Sequence, residues 1–127
     1  MRKIKKIKLP CPLEAQEGKA LKDWSLLNPI CNQYLIHIAN ESKTSWRNGK
    51  SLKAQGKKKG VSDYFLAYPA GGKHGLWIEL KRRDKSLSTV SKEQREWLAL
   101  CSEAGYGACV AYGAEEAIDA IEKYLSM

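Results

Sequence analysis

The 127 residues are the size of one ordinary domain, and 43% of them are hydrophobic, enough for a real core. No apolar run approaches the roughly 20 residues of a membrane span, and the basic start, Met1 to Pro10, leads into neither a long apolar stretch nor a small-residue cleavage site; membrane-spanning and secreted chains are therefore not expected, and the cytoplasm is. Lys and Arg number 22 against 14 Asp and Glu, a formal net charge of +8, which favours a polyanionic partner, nucleic acid before an anionic membrane surface.

Residues 1–12 read as a basic arm closed by Pro10 and Pro12, and 13–127 as a single domain. Leu13, Ala20, Leu21, Trp24 and Leu26 or Leu27 recur at helical spacing, which predicts a first helix from Leu13 to about Leu27, ended by Asn28-Pro29. Glu14 and Glu17, three apart, share a face of it, and acids in a first turn also favour the helix N-terminus. Tyr34 to Ala39 reads as a strand with His37 half-buried, and Asn40-Glu41-Ser42 as a polar turn. The connection that follows is rich in Lys and Gly, with a short helix predicted around Ser51–Gln55 and stopped by Gly56. Its cations are Lys43, Arg47, Lys50, Lys53, Lys57, Lys58 and Lys59; Trp46 is placed to stack on an unpaired base or to anchor the loop.

Val61–Tyr68 and Gly75–Lys81 are aromatic and branched runs on either side of a Pro- and Gly-containing turn, the pattern of a β-hairpin. With the turn centred on Gly71, Asp63 falls opposite Glu79, about 5 Å away on one sheet face. Lys81, two residues on, shares that face, while Leu76, Ile78 and Leu80 take the other with Tyr64 and Leu66. Two carboxylates so close repel unless a proton or a cation lies between them, and oxygen ligands of this kind suit Mg²⁺ or Mn²⁺. A Glu-x-Lys on a strand is most often a solvated ion pair. The Asp in register brings metal-assisted hydrolysis of a phosphodiester to equal standing with that plain reading.

Arg82-Arg83-Asp84-Lys85 then form a second basic turn at the same end. Ser91 and Gln94 fit a capping box that opens a helix running to Ala104, with Trp97, Leu98 and Cys101 inward and Gly105 as its stop. Tyr106–Tyr112 reads as a central strand, and Ala114–Leu125 as a last helix with Ala117, Ile118, Ile121 and Leu125 inward. Cysteines 11, 31, 101 and 109 lack zinc-site spacing, and neither His37 nor His74 completes one, so reduced thiols are expected. The order is helix, strand, short helix, two strands, helix, strand, helix: an α/β sandwich around a mixed sheet.

Asp63 followed by Glu79-Leu80-Lys81 on a hairpin resembles the PD-(D/E)xK nuclease superfamily. The words Lys59-Gly60-Val61-Ser62-Asp63, Gly75 to Lys81, Glu93-Gln94-Arg95-Glu96-Trp97 and Ala104-Gly105-Tyr106 resemble the VRR-NUC domain in its stand-alone phage and prophage form, over about Leu13 to Leu125. One departure is Ser62, where that family usually has Pro before the Asp.

The resemblance implies a restriction-endonuclease-like fold and a DNA endonuclease dependent on Mg²⁺ or Mn²⁺. It implies Asp63, Glu79 and the Leu80 carbonyl as metal ligands, with Glu14 from the first helix and Glu17 as second choice. Lys81 would serve the attacking water, with Gln94 beside it as well as capping its helix. Asn40 matches the family's I-x-N word; with the cations from Lys43 to Lys59, and Arg82 and Arg83, it is expected to contact DNA beside the site. The stand-alone form further implies a homodimer acting on four-way (Holliday) junctions, with no membrane partner. Two other readings remain: a non-catalytic DNA-binding protein of the same shape, and an RNA-directed nuclease. The first gains nothing from a carboxylate pair that repels phosphate.

Overall fold

The structure, a computed structural model, describes residues 10–39, 55–56 and 58–127. The first nine residues of the basic arm, the turn at Asn40 and nearly all of the helix expected at Ser51–Gln55 lie outside the described residues.

Helix α1 spans Glu14–Ser25. The Gln16 side chain accepts a hydrogen bond from the Leu13 N–H (2.7 Å), which satisfies one of the donors a helix start leaves open. Its buried stripe is Glu17, Leu21 and Ser25, at four-residue spacing; Leu13, Leu26 and Leu27, expected inward, are exposed. Asn28-Pro29 ends α1 as expected, and it also starts a second helix that the periodicity did not reveal, α2 (Pro29–Tyr34). The Asn28 side chain accepts from the N–H groups of Ile30 and Cys31, and Pro29 occupies the first helical position, where its missing N–H costs nothing.

Strands β1 (Leu35–His37), β2 (Tyr64–Leu66), β3 (Leu76–Lys81) and β4 (Gly107–Tyr112) form one sheet in that spatial order. β1–β2 and β2–β3 are antiparallel, and β3–β4 is parallel. Helix α3 (Lys92–Glu103) makes the crossover between the parallel strands, and α4 (Ala114–Leu125) closes the chain. β4 is thus an edge strand among the described residues, not the central one expected. It is apolar because helices α3 and α4 both pack on it, not because strands flank it.

The hairpin turn is Gly71-Gly72, with positive φ at both residues (55° and 78°), the two-residue turn that matches strand twist. Ala70 and Lys73 bond reciprocally across it (3.2 and 2.8 Å). The turn centre therefore lies between the two glycines, half a residue beyond the centre assumed from sequence. An extra residue on the Ala67–Pro69 side takes up the slip, and Tyr64 still pairs with Ile78.

The core lies on one sheet face. Tyr64, Leu66, Leu76, Ile78 and Leu80 pack there on Leu21 of α1 and on Ala117, Ile121 and Tyr124 of α4. The opposite face carries Trp77, which meets Trp97 of α3 edge-on at 5.2 Å. Alternation along β3 thus sends its even residues into the core and its odd residues, Trp77, Glu79 and Lys81, towards α3.

Candidate active site

Asp63 stands one residue before the pair Tyr64–Ile78, so it comes to lie across from Glu79. Its main chain and side chain are both tied to the sheet. Its carbonyl accepts from the Ile38 N–H (2.6 Å), and its Oδ2 accepts from the Leu80 N–H (3.0 Å). Glu79 is 1% exposed and Lys81 8%. The Lys81 ammonium lies 3.5 Å from Glu79 Oε1. The same oxygen accepts from Gln94 Nε2 at 2.7 Å.

Gln94 does two jobs with one amide. Its Oε1 accepts from the Ser91 N–H and its main-chain N–H donates to Ser91 Oγ, the capping box read from the sequence. Its Nε2 is left to orient Glu79. The loop before Asp63 is drawn against the same helix end at Gly60 (φ 92°), where a Cβ would fall 2.5 Å from the Glu93 main chain. Lys59 pairs with the Glu93 carboxylate there at 3.7 Å. Ser62 is fully buried, and its hydroxyl meets no partner among the described residues.

The acids of α1 separate. Glu17 is 1% exposed and gripped from both sides by Arg83, at 2.8 and 3.0 Å, which holds its carboxyl below the usual range. Glu14 opens instead on the groove that Asp63 lines. Burial, then the nearby Asp63 charge, push Glu14 up; Lys81 and His37 pull it the other way. Of the two, Glu14 is the acid that stands with Asp63.

Arg82 and Arg83, expected to contact nucleic acid, each donate two hydrogen bonds within the protein, and Arg83 stays exposed. Arg82 binds the carbonyls of Cys11 and Pro12, tying down the base of the N-terminal arm, and Arg83 binds Glu17. Two adjacent guanidiniums beside unpaired carbonyls and a buried carboxylate find stronger partners there than solvent. Lys58 and Lys59 are exposed near the site. Asn40, Lys43, Arg47, Lys50, Lys53 and Lys57 lie outside the described residues.

His37, expected half-buried, is exposed, and its ring lies on Tyr64 at 4.8 Å. It lines the groove between α1 and β1 with Glu14, Asp63, Lys19 and Lys22. None of His37, Lys19 and Lys22 was singled out for the site from sequence. The signal was there for the lysines: Glu14, Gly18 and Lys22 follow the four-residue period of one helix face.

The pair Asp63–Glu79 is electrically unstable as two bare carboxylates. Burial is the largest cause raising each, and the Asp63 charge adds to it at Glu79, which is pushed up to about 8 despite Lys81. As a carboxylate, Glu79 leaves Oε2 buried with no partner; as an acid, it has a proton to share with Asp63. A group so raised stabilises the fold fully at acid pH, and that contribution is lost as pH climbs through about 8. Glu79→Gln, an uncharged isostere, is therefore expected to melt several degrees above the metal-free wild type at pH 9, with the gap closing towards pH 5. A gap constant with pH, read by thermal melts in EDTA, would remove the argument.

The donor set is all oxygen, with one buried oxygen orphaned, and this fits a hard divalent cation. Asp63 and Glu79 are the carboxylates that would hold one, with the Leu80 main chain already tied to Asp63. Among the described residues no three His, Cys, Asp or Glu side chains converge tightly enough to bind an ion unaided. Glu14 would then act through water, which Mg²⁺ tolerates well.

The sequence profile of the VRR-NUC domain matches residues 13–115. A solved structure described as a VRR_NUC domain protein superposes with a TM-score of 0.79 at 25% identity, over 93% of this chain and 92% of that one. Among curated proteins none matches the chain.

Proposed function

The chain belongs to the VRR-NUC family of nuclease domains, and from that premise we propose that it is a divalent-metal-dependent DNA endonuclease. The observation that carries the reading is the Asp63–Glu79–Lys81 cluster itself, with Glu79 and Lys81 buried and Asp63 open to the groove. Asp63 and Glu79 face each other, Lys81 stands at 3.5 Å, and Gln94 fixes the Glu79 carboxylate from behind. A protein that only binds DNA has no use for such a pair.

Asp63, Glu79 and the Leu80 carbonyl would hold Mg²⁺ or Mn²⁺, with Glu14 through water. The ion, when bound, supplies charge neutralisation of the phosphate and acidifies the attacking water. Lys81, kept next to the carboxylates and away from bulk solvent, orients that water and steadies the charge building on the phosphate oxygens. Gln94 keeps Glu79 Oε1 from swinging towards Lys81 alone. The cations of the Lys43–Lys59 connection bring the backbone to the site without reading bases.

Incubation of purified protein with labelled duplex, branched DNA and RNA, with and without Mn²⁺, tests this directly. Cleavage of DNA that stops in excess EDTA is the expected result, and activity surviving EDTA removes the metal. Because the ligands must lose protons to bind, metal affinity is expected to fall steeply as pH drops below about 8, the Glu79 value. Calorimetry in two buffers of different ionisation heat would show the protons released; none released would contradict the assignment.

The reading extends to assembly. A four-way junction needs two strands cut on opposite sides, and one site per chain cuts one strand. A two-fold homodimer is the simplest answer. Leu26 and Leu27, exposed at the end of α1, are its proposed contact. Light scattering, together with cleavage of a mobile junction against a linear duplex of equal length, tests both parts. A monomer cutting the two equally would overturn them.

A further inference from the structure

Beside the carboxylates runs a groove of about 740 Å³ between α1 and β1. Among the described residues, α1 packs mainly on α4, β3 and α2 and leaves the β1 edge of the sheet open. Its inner end is Glu14 and Asp63; its outer rim is Lys19, ion-paired with Asp23 at 2.9 Å, and Lys22, about two turns along the same helix from Glu14. Gly18 makes the wall thin in between: a Cβ there would fall 2.8 Å from the Tyr64 hydroxyl. The volume is that of a small-ligand pocket, larger than a phosphate alone requires.

Across the groove, His37 and Tyr64 are cross-strand partners whose rings lie 4.8 Å apart and 30° from parallel. Tyr64 is buried and His37 is exposed, so His37 is the outer ring of the pair, and both side chains line the groove. An aromatic face held flat by a buried ring, between two acids at one end and two lysines at the other, has the layout of a nucleotide site. The lysines suit a phosphate, and the ring suits a base.

We infer that this groove binds the nucleotide next to the scissile phosphate, its base stacked on His37 and its own phosphate on Lys22. The inference rests on the nuclease reading and deepens it. A base in a continuous duplex has both faces covered by its neighbours and offers nothing to His37. A base at a branch point or a strand end is free to do so. The site thereby selects unstacked DNA by shape, which suits a domain whose other contacts are to the backbone.

The test is binding, measured by fluorescence anisotropy in EDTA, which withholds the metal that the proposed cleavage needs. Two short single strands of equal length are compared, one of thymidines and one wholly abasic, which keeps the phosphates and removes the bases. Stacking on an aromatic side chain contributes roughly tenfold or more to affinity per base. The ratio of the two affinities is expected to drop about tenfold in His37→Ala and to be restored in His37→Phe, which keeps the ring. Lys22→Ala is expected to weaken both strands alike and leave the ratio unchanged. A ratio unaltered in His37→Ala, or a ratio of one in the wild type, overturns the inference; His37→Phe failing to restore it does so too. Thermal melts of each variant establish that it is folded. A protein that shows the base dependence but cuts no DNA in Mn²⁺ sinks the nuclease reading and leaves the groove. One that cuts without base dependence does the reverse.

Discussion

Asp63→Asn is expected to lower DNA cleavage by about a thousandfold or more, the loss typical when a charged group central to transition-state stabilisation is neutralised. The substitution is chosen to spare the fold. An amide oxygen still accepts the Leu80 N–H that Asp63 Oδ2 now takes, and the main-chain bond from Ile38 is untouched. What disappears is one of the two carboxylates proposed to hold the metal. Burial already disfavours those charges, so the variant is expected to melt no lower than wild type in EDTA at neutral pH. Binding of uncleaved DNA should hold or tighten, since one repulsion against phosphate is gone. Lys81→Ala should match the loss in rate without that gain in stability. Retention of more than a tenth of wild-type cleavage in Asp63→Asn, at saturating Mn²⁺, would take the residue out of the site.

The second large effect is on stability. Arg83→Ala is expected to lower the melting temperature by several degrees at pH 7, because it leaves the Glu17 charge buried without its partner. The reverse change, Glu17→Ala, is expected to cost less, since Arg83 is exposed and can turn to water. The pair also joins elements distant in sequence: Glu17 hydrogen-bonds the main chain at Ala114, where α4 begins. Gly113, just before it, has no room for a side chain, a Cβ falling 2.9 Å from Glu17 Oε2. The Glu17 carboxyl lies below its usual value in the wild type, so its stabilisation is present above about pH 4.5 and lost as pH falls through the folded value. The deficit of Arg83→Ala should therefore shrink at low pH, as Glu17 takes up a proton. Denaturant titrations at pH 7 and pH 4, with Glu17→Gln/Arg83→Ala as the neutral double variant, give the numbers. Equal costs for the two single changes would mean that the buried charge is not the cause.

The two acids of α1 show where sequence reading ends. Glu14 and Glu17 are three residues apart and share a helix face, so spacing alone could not tell which one meets Asp63. The choice fell to the angle at which α1 docks on α4 and β3. That angle buries Glu17 beside Arg83 and turns Glu14 into the groove. Arg82 and Arg83 are a second case: a basic turn in the sequence that also clamps the arm at Cys11–Pro12 and the Glu17 carboxylate once these are brought to it.

What the sequence determined by itself is local or strictly periodic. Alternation along β3 separates Ile78 and Leu80 from Glu79 and Lys81, because a strand has no other way to place successive side chains. The Ser91–Gln94 cap is written within four residues. The hairpin register was legible too, although the turn centre was misplaced and a bulge near Pro69 made good the difference. Tertiary structure alone decided that, among the described residues, β4 is an edge covered by two helices and β1 is left open beside α1. Both follow from how layers pack, and packing is a property of pairs of elements far apart in the chain. The same cause put His37, read as half-buried, on the surface of the groove: its own strand says which way the ring points, and only the position of α1 says whether anything covers it.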